Sequence, residues 1–322
     1  MADYQDIRGL RVKYLSADPS TTTAGEVWYN STSGTLKASV SFAAAWSSAT
    51  AYPIEKRDAG GFGTQTAGVI VGGGGAPGGV TDVANEWNGA SWTATTAYPF
   101  ATSGMASKGP QTAGLVTGPG TVNNDYNGTG WSTNPVMNAP RSGHALVANT
   151  VAQTAAIAVS GEPPTTTTSD WDGSTWTAGP TVPTWGQGTS GGGTTAAGFC
   201  QGNVISGTAT LDYNGSSWSA GNSASNGHNY GGAGGTVTDG ITFGGTQVPN
   251  PGTKTAQAEL YDGTNWSTGA NMGTGRSNAH GNCTINAPAC LCATGNVPPA
   301  AISNLNEEYN AQYVGTQTLT TS

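Results

Sequence analysis

Short apolar runs separated by glycine-rich breaks set the pattern of this chain, and Ala155-Ala156-Ile157-Ala158-Val159 is typical of them. Runs of this length bounded by turn residues read as β-strands rather than helices. One phrase recurs among them: an aromatic residue, Asn or Asp, Gly, two small residues, then Trp. It stands at 87–92, 126–131, 171–176, 213–218 and 261–266. Asn-Gly and Asp-Gly between strand-forming runs signal a tight hairpin, because both residues tolerate the positive φ such a turn requires. A four-residue loop would set the two aromatics directly opposite, and a two-residue loop diagonally; either way they share a face.

The Trp that ends each phrase gives a ruler: Trp46, Trp92, Trp131, Trp176, Trp218 and Trp266. Trp46 belongs because 46–53 echoes 92–99, each running from Trp through small residues to Tyr-Pro. Intervals of 39 to 48 residues with about four short strands each are the sequence sign of a β-propeller. First strands are expected near 56–64, 101–108, 141–149, 186–195, 226–236 and 275–285, and second strands end in glycine, as at Gly72, Gly161, Gly202, Gly244 and Gly295. The sixth unit reaches Tyr309 without a following Gly and Trp, while 38–48 is an orphan fourth strand at the front. Pairing the two would close the sixth unit and remove an open sheet edge. The expected fold is therefore all-β: a six-bladed propeller over 39–315 closed by strand 38–48, a short N-terminal β appendage over 1–38, and a C-terminal tail over 316–322. Gly and Ala should line the axis, while Trp and Tyr fill the wedges between blades.

Charge changes the picture of the surface. Only 9% of residues are Asp, Glu, Lys or Arg, where about 25% is usual, so Thr, Ser, Asn and Gly must cover the exterior. Residues 1–58 are formally neutral and the rest carries the net −8. An acidic body poor in Lys and Arg has no footprint for phosphate backbones, and no apolar run is long enough to insert in a membrane. No signal-peptide pattern opens the chain, so synthesis in the cytoplasm is expected.

Two resemblances follow from particular residues. Trp131-x5-Met137-x3-Arg141-x2-His144 and Trp266-x5-Met272-x3-Arg276-x3-His280 resemble the Kelch repeat, and the other units keep the hairpin but lose the Arg. The opening segment, 7–20 followed by 25–37 with its Gly-x-x-Trp-Tyr-Asn hairpin, resembles the leaders of virion proteins of tailed phages, particularly marine ones. This resemblance implies a non-enzymatic structural part of a phage particle, tail or tail-fibre associated and in multiple copies. Residues 1–38 would dock to other virion proteins through Arg8, Arg11, Lys13, Trp28 and Tyr29, and the propeller would face outward toward host-surface glycans or proteins. Its localisation would be the virion, after synthesis in the host cytoplasm. The other reading is a propeller lectin or Kelch-type enzyme unconnected with a particle.

Candidate chemistry is sparse. His144, His228 and His280 fall in first strands and read as structural. The Kelch-like oxidases hold copper with Tyr and His beside a modified Tyr-Cys pair, and nothing selects such a set, so no cofactor, metal or catalytic group is expected. Cys283, Cys290 and Cys292 lack a fourth ligand at zinc spacing and read as buried free thiols. Glu86, Asp125, Asp170, Asp212, Glu259 and Glu308 recur before the hairpin aromatic; one acid per unit reads as a repeat feature bonding a neighbouring strand or turn, against a ring of Ca²⁺ ligands. Trp185 lies off the ruler and, with Tyr230, is the candidate stacking platform for a glycan, against a loop-filling role for Trp185.

Overall fold

Each repeated phrase folds into a hairpin with a four-residue loop. Trp87 stands opposite Trp92, Tyr126 opposite Trp131, Trp171 opposite Trp176, Tyr213 opposite Trp218 and Tyr261 opposite Trp266. The Asn or Asp makes the turn: Asn127 Oδ1 accepts the N–H of Thr129 at 3.0 Å and of Gly130 at 2.9 Å, while Gly128 takes φ +90°. The side chain thus satisfies the loop's backbone donors and leaves the left-handed position to glycine.

A computed structural model describes residues 12–75, 79–148, 152–247, 253–283, 289–299 and 301–320, with backbone alone at 280–283. These residues are all-β, with no helix among them. They form two compact units, Met1–Ala44 with Ala311–Ser322, and Ala45–Asn310.

Among the described residues the larger unit holds six four-stranded antiparallel sheets. Sheets I to V span 60–94, 106–133, 145–178, 190–221 and 232–268. Sheet VI contains His280–Cys283, Ala289–Ala293 and Asn306–Asn310, and its outer strand is Ala45–Ala49 from the other end of the unit. Trp46 faces Tyr309 in register there, a sixth aromatic pair made without a covalent turn. First strands are neighbours in the order I to VI, and the first strand of sheet VI lies beside that of sheet I. Many four-stranded antiparallel sheets of this kind fit a β-propeller.

The segment 38–48 is two strands rather than one. Ala45 is the last rung opposite Asn310 in sheet VI, whereas Thr35–Phe42 pairs with Tyr313–Thr318 in the smaller unit. The unit boundaries accordingly fall at 44/45 and 310/311, not at 38 and 315, and residues 316–318 lie in a strand instead of a tail.

The aromatics divide their labour by position. The first of each pair sits on the third strand and is buried, Trp87 at 1% exposure and Tyr126 and Tyr309 at 0%. Of the six ruler tryptophans only Trp176 is buried; Trp46, Trp92, Trp131, Trp218 and Trp266 are half-buried, because the fourth strand is an outer edge. They nevertheless cover the joints between sheets: Trp131 packs on Phe62 and Tyr98 of the preceding segment, and Trp46 on Phe243 of sheet V, at centroid distances of 6.2, 4.9 and 4.9 Å. Gly114 makes room for the Phe62 ring in the first of these joints, since a Cβ there would lie 2.2 Å from it.

Three of the recurring acids, Glu86, Asp212 and Glu308, tie one sheet to the next, whereas Asp125 interacts with Asn134 beside its own sheet and a buried oxygen of Asp170 has no hydrogen-bond partner among the described residues. Glu86 accepts from the Tyr126 hydroxyl at 2.6 Å, Asp212 from Tyr261 at 2.9 Å, and Glu308 from Trp87 Nε1 at 3.2 Å. Glu259 is not part of this series. Leu260 stands next to Tyr261, which turns Glu259 to the opposite face, where it bonds His228 Nε2 at 2.9 Å. Among the described residues no group of three or more His, Cys, Asp or Glu side chains could hold a metal.

In the smaller unit the strand order is Lys13–Leu15, Val27–Asn30, Thr35–Phe42, Tyr313–Thr318, with the first pair parallel. Trp28, expected as a docking residue, is instead this unit's core at 1% exposure. Its indole N–H donates to Asp18 at 3.0 Å, and Asp18 also accepts from Asn30 at 2.7 Å and Lys37 at 2.6 Å. Those donors, Lys37 first, hold the Asp18 carboxyl down at about 2. A depressed folded-state value means the stabilisation is complete above the unfolded value near 3.9 and is lost as pH falls toward 2. We therefore expect the Trp28 indole N–H resonance to shift between about pH 4 and 2 in NMR spectra; in Asp18→Asn the transition should vanish. Lys13 pairs with Glu26 at 3.4 Å, Tyr29 stacks on Tyr14 at 5.2 Å, and Arg8 and Arg11 lie outside the described residues.

Candidate functional site

One left-handed residue precedes the first strand of every sheet in the larger unit: Asp58, Gly104, Gly143, Gly188, Tyr230 and Asn278, with φ between 53° and 77°. Their backbones bond head to tail. Gly104 donates to Asp58 at 2.8 Å, Gly143 to Gly104 at 3.0 Å, Gly188 to Gly143 at 2.9 Å, Tyr230 to Gly188 at 2.7 Å and Asn278 to Tyr230 at 2.8 Å. Asp58 then donates to Asn278 at 3.1 Å, which returns the series to its start.

Glycine occupies this conformation freely, but a side chain there costs about 1–2 kcal/mol, least for Asp and Asn. Sheets II, III and IV obey that preference; sheets V, VI and I do not. The three exceptions sit together. Asn278 Nδ2 donates to Asp58 Oδ1, and the carboxyl groups of Asp58 and Glu162 both act on the Tyr230 phenol. The Tyr230 ring lies over Gly188, where a Cβ would come within 3.1 Å of it. Left-handed non-glycine residues gathered on one side of the ring make that side the candidate position for function.

These residues rim a cavity of about 400 Å³, whose wall is built from first-strand residues such as Ala106, Ala145, Gly191 and Ala233. This volume lies within the usual range for small-molecule sites. Polar groups converge on it: Asp58, Asn278, Tyr230 and Gln187 at the ring, and Lys108 farther along. Burial pushes the Asp58 carboxyl and the Tyr230 phenol up. His144 also reaches the lining, but its Nε2 is engaged with Thr117 Oγ1 at 2.8 Å, and burial beside Arg141 drives it down to about 3, so it stays neutral.

Two residues before the ring position, four sheets carry a buried basic side chain: Lys56, Arg141, His228 and Arg276. Arg141 and Arg276 stood out in the sequence, but Lys56 and His228 fill the same place in units that looked to have lost it. Arg141 donates to the carbonyls of Ser160 at 2.8 Å and Thr167 at 3.1 Å, and Arg276 pairs with Glu307. Lys56 donates to the Val83 carbonyl at 2.8 Å and the Tyr52 hydroxyl at 3.1 Å, and burial pulls it down to about 8. All four fasten first-strand approaches to neighbouring backbone and side chains. The shared spacing to the ring, as in Arg141-Ser142-Gly143 and Arg276-Ser277-Asn278, is the signal that would have located Lys56 and the ring itself.

The remaining candidates separate. Trp185 is 5% exposed, packs in the core around Val159 and Val182, and donates its indole N–H to Thr189 at 3.0 Å, so it forms no stacking platform with Tyr230. Cys290 carries a disulfide rather than the expected free thiol, and its register partner is Cys283, while Cys292 is free and buried, as is Cys200. The side chains of His280 and Cys283 lie outside the described residues.

No protein-family model matches the chain, and no curated protein matches it. Solved structures do. One titled "Structure of YjhT", a propeller-type fold, superposes with a TM-score of 0.65 at 14% identity over 83% of this chain and 99% of that one. Likeness at that identity speaks to fold alone, and it agrees with the sheets: this is an all-β chain whose fold fits a β-propeller.

Proposed function

We propose that residues 45–310 form a six-bladed, Kelch-like propeller, and that the chain is a non-enzymatic structural component of a tailed-phage virion. It would be associated with the tail or tail fibre, present in several copies, and act in host-surface attachment. The head-to-tail ring of six backbones supports the blade number, because a ring with one residue per sheet closes only when every blade is counted. The four basic residues ahead of that ring support the Kelch-like assignment.

The observation that carries the virion role is the apolar face of the small sheet. Tyr14, Val27, Leu36, Phe42, Tyr313 and Leu319 are 37–73% exposed. Cross-strand register puts Tyr14, Tyr29 and Leu36 in one row and Phe42 and Tyr313 in another on the same side, opposite Trp28. A contiguous apolar sheet face is a surface for another protein, here another protein of the particle.

Mass spectrometry of purified particles should find the chain at fixed stoichiometry with tail proteins, and Tyr14→Ser with Tyr313→Ser should abolish incorporation while the melting of the larger unit stays unchanged. Particles that lack the chain would reject this role. A second reading, a glycan-binding lectin or a Kelch-type enzyme outside any particle, draws on the strained Asp58, Tyr230 and Asn278 cluster; glycan-array binding without particle association would favour it.

A further inference from the structure

Lys108 is the last residue of the first strand of sheet II. Its ammonium crosses to sheet V, where it donates to the Ala233 carbonyl at 3.3 Å. Among the described residues no carboxylate comes within ion-pair distance of it. That single carbonyl leaves two of the three ammonium donors for a guest. The titratable group that faces it from a neighbouring element is the Cys200 thiol, which burial pushes up and so keeps neutral. Burial pulls Lys108 down to about 8, which leaves it largely protonated at pH 7.

The cavity is therefore polarised. Gly104 at the ring and Lys108 are four residues apart on one segment, roughly 13 Å of extended chain. Small uncharged residues wall the space between. At the ring end stand hydrogen-bonding groups, Asp58, Asn278, Tyr230 and Gln187; at the other end stands one cation with no counter-ion. An apolar guest would leave that cation buried and unpaired, and a dianion would exceed its charge and meet Asp58.

We propose that the axial cavity binds a small organic monocarboxylate, with its carboxylate on the Lys108 ammonium and hydroxyl or amide groups toward Asp58, Asn278 and Gln187. This goes beyond the virion reading and stands whether or not the chain belongs to a particle. Gluconate and sorbitol are a matched pair of probes, since they differ only in carboxylate against hydroxymethyl at one end of a six-carbon chain.

Calorimetric titration of the full chain at pH 7 should show gluconate binding at least tenfold more tightly than sorbitol, and Lys108→Met should weaken gluconate at least tenfold. Raising the pH from 7 to 9 should weaken it by about tenfold, as Lys108 loses its proton near 8. The other titratable groups lining the cavity are Asp58, His144 and Tyr230, and the same fall in Asp58→Asn assigns the proton to Lys108. Equal affinity for sorbitol, undetectable gluconate binding to the native chain, unchanged binding in Lys108→Met, or a pH effect that disappears in Asp58→Asn would each overturn the proposal. The native-chain pH series stands as a test even if Lys108→Met does not fold.

Discussion

A chain beginning at Ala45 and ending at Asn310 should melt with the main transition of the full protein, whereas one beginning at residue 50 should melt at least about 10 °C lower or aggregate. The five residues between them are the whole outer strand of sheet VI, paired from Asn310 to Asn306. Their loss strips Tyr309 of its partner and Phe243 of the Trp46 ring, packed at 5.3 and 4.9 Å respectively. Losing a half-buried tryptophan costs about 1–2 kcal/mol, the ladder hydrogen bonds of five rungs add about 0.5–1.5 kcal/mol each, and each kcal/mol moves the midpoint of a domain this size by roughly 2–4 °C. An unpaired strand edge adds a route to aggregation. Differential scanning calorimetry of the two fragments decides it; matched midpoints would show that the closing strand is dispensable.

Trp87→Ala should cost about 3–5 kcal/mol, and Trp92→Ala, five residues on, only about 1–2 kcal/mol. Both belong to the same phrase, and their rings lie 5.0 Å apart. Trp87 is 1% exposed, and its N–H donates to the Gln65 carbonyl at 2.8 Å and to Glu308 of sheet VI at 3.2 Å. Its truncation opens a cavity and removes the donor that Glu308, itself pushed up by burial, relies on. Trp92 is half-buried on the edge strand and packs on one side against Tyr52 at 4.9 Å. Chemical denaturation gives both values; equal losses would mean that the ruler tryptophan bears as much of the core as its partner.

Glycine substitution would probe the ring differently. At Gly188 a Cβ would meet Asn229 Oδ1 at 2.2 Å as well as the Tyr230 ring, so an alanine there disturbs both the backbone series and the residue that breaks its glycine rule.

The hairpins were legible because their determinants are local: an Asn or Asp carboxamide or carboxylate, a glycine with positive φ, and two aromatics at fixed spacing act within six residues. The repeat count and the need for a closing strand followed from the same ruler, since a unit that lacks a strand and a strand that lacks a unit are both visible in one dimension. What the ruler could not say was which aromatic is buried. Period-two alternation places Trp87 and Trp92 on one face, but only the stacking of sheet on sheet decides that the third strand is inside and the fourth is a rim.

The axial site was illegible for a related reason. Asp58, Tyr230 and Asn278 lie in different units, have no common side chain, and share only a backbone conformation that glycine adopts in the other three. Trp185 drew notice by falling off the ruler and proved to be core, while Lys108 sits in an unremarked Ala-Ser-Lys run and reaches across to Ala233. By itself the sequence determined an all-β chain of repeated four-strand units with aromatic hairpins, because turn chemistry and alternation are short-range. The tertiary structure alone decided that 38–48 breaks into two strands, where the two units divide, and which six backbones meet, because those depend on residues far apart in sequence, such as Asp58 and Asn278, 220 positions apart, being brought together.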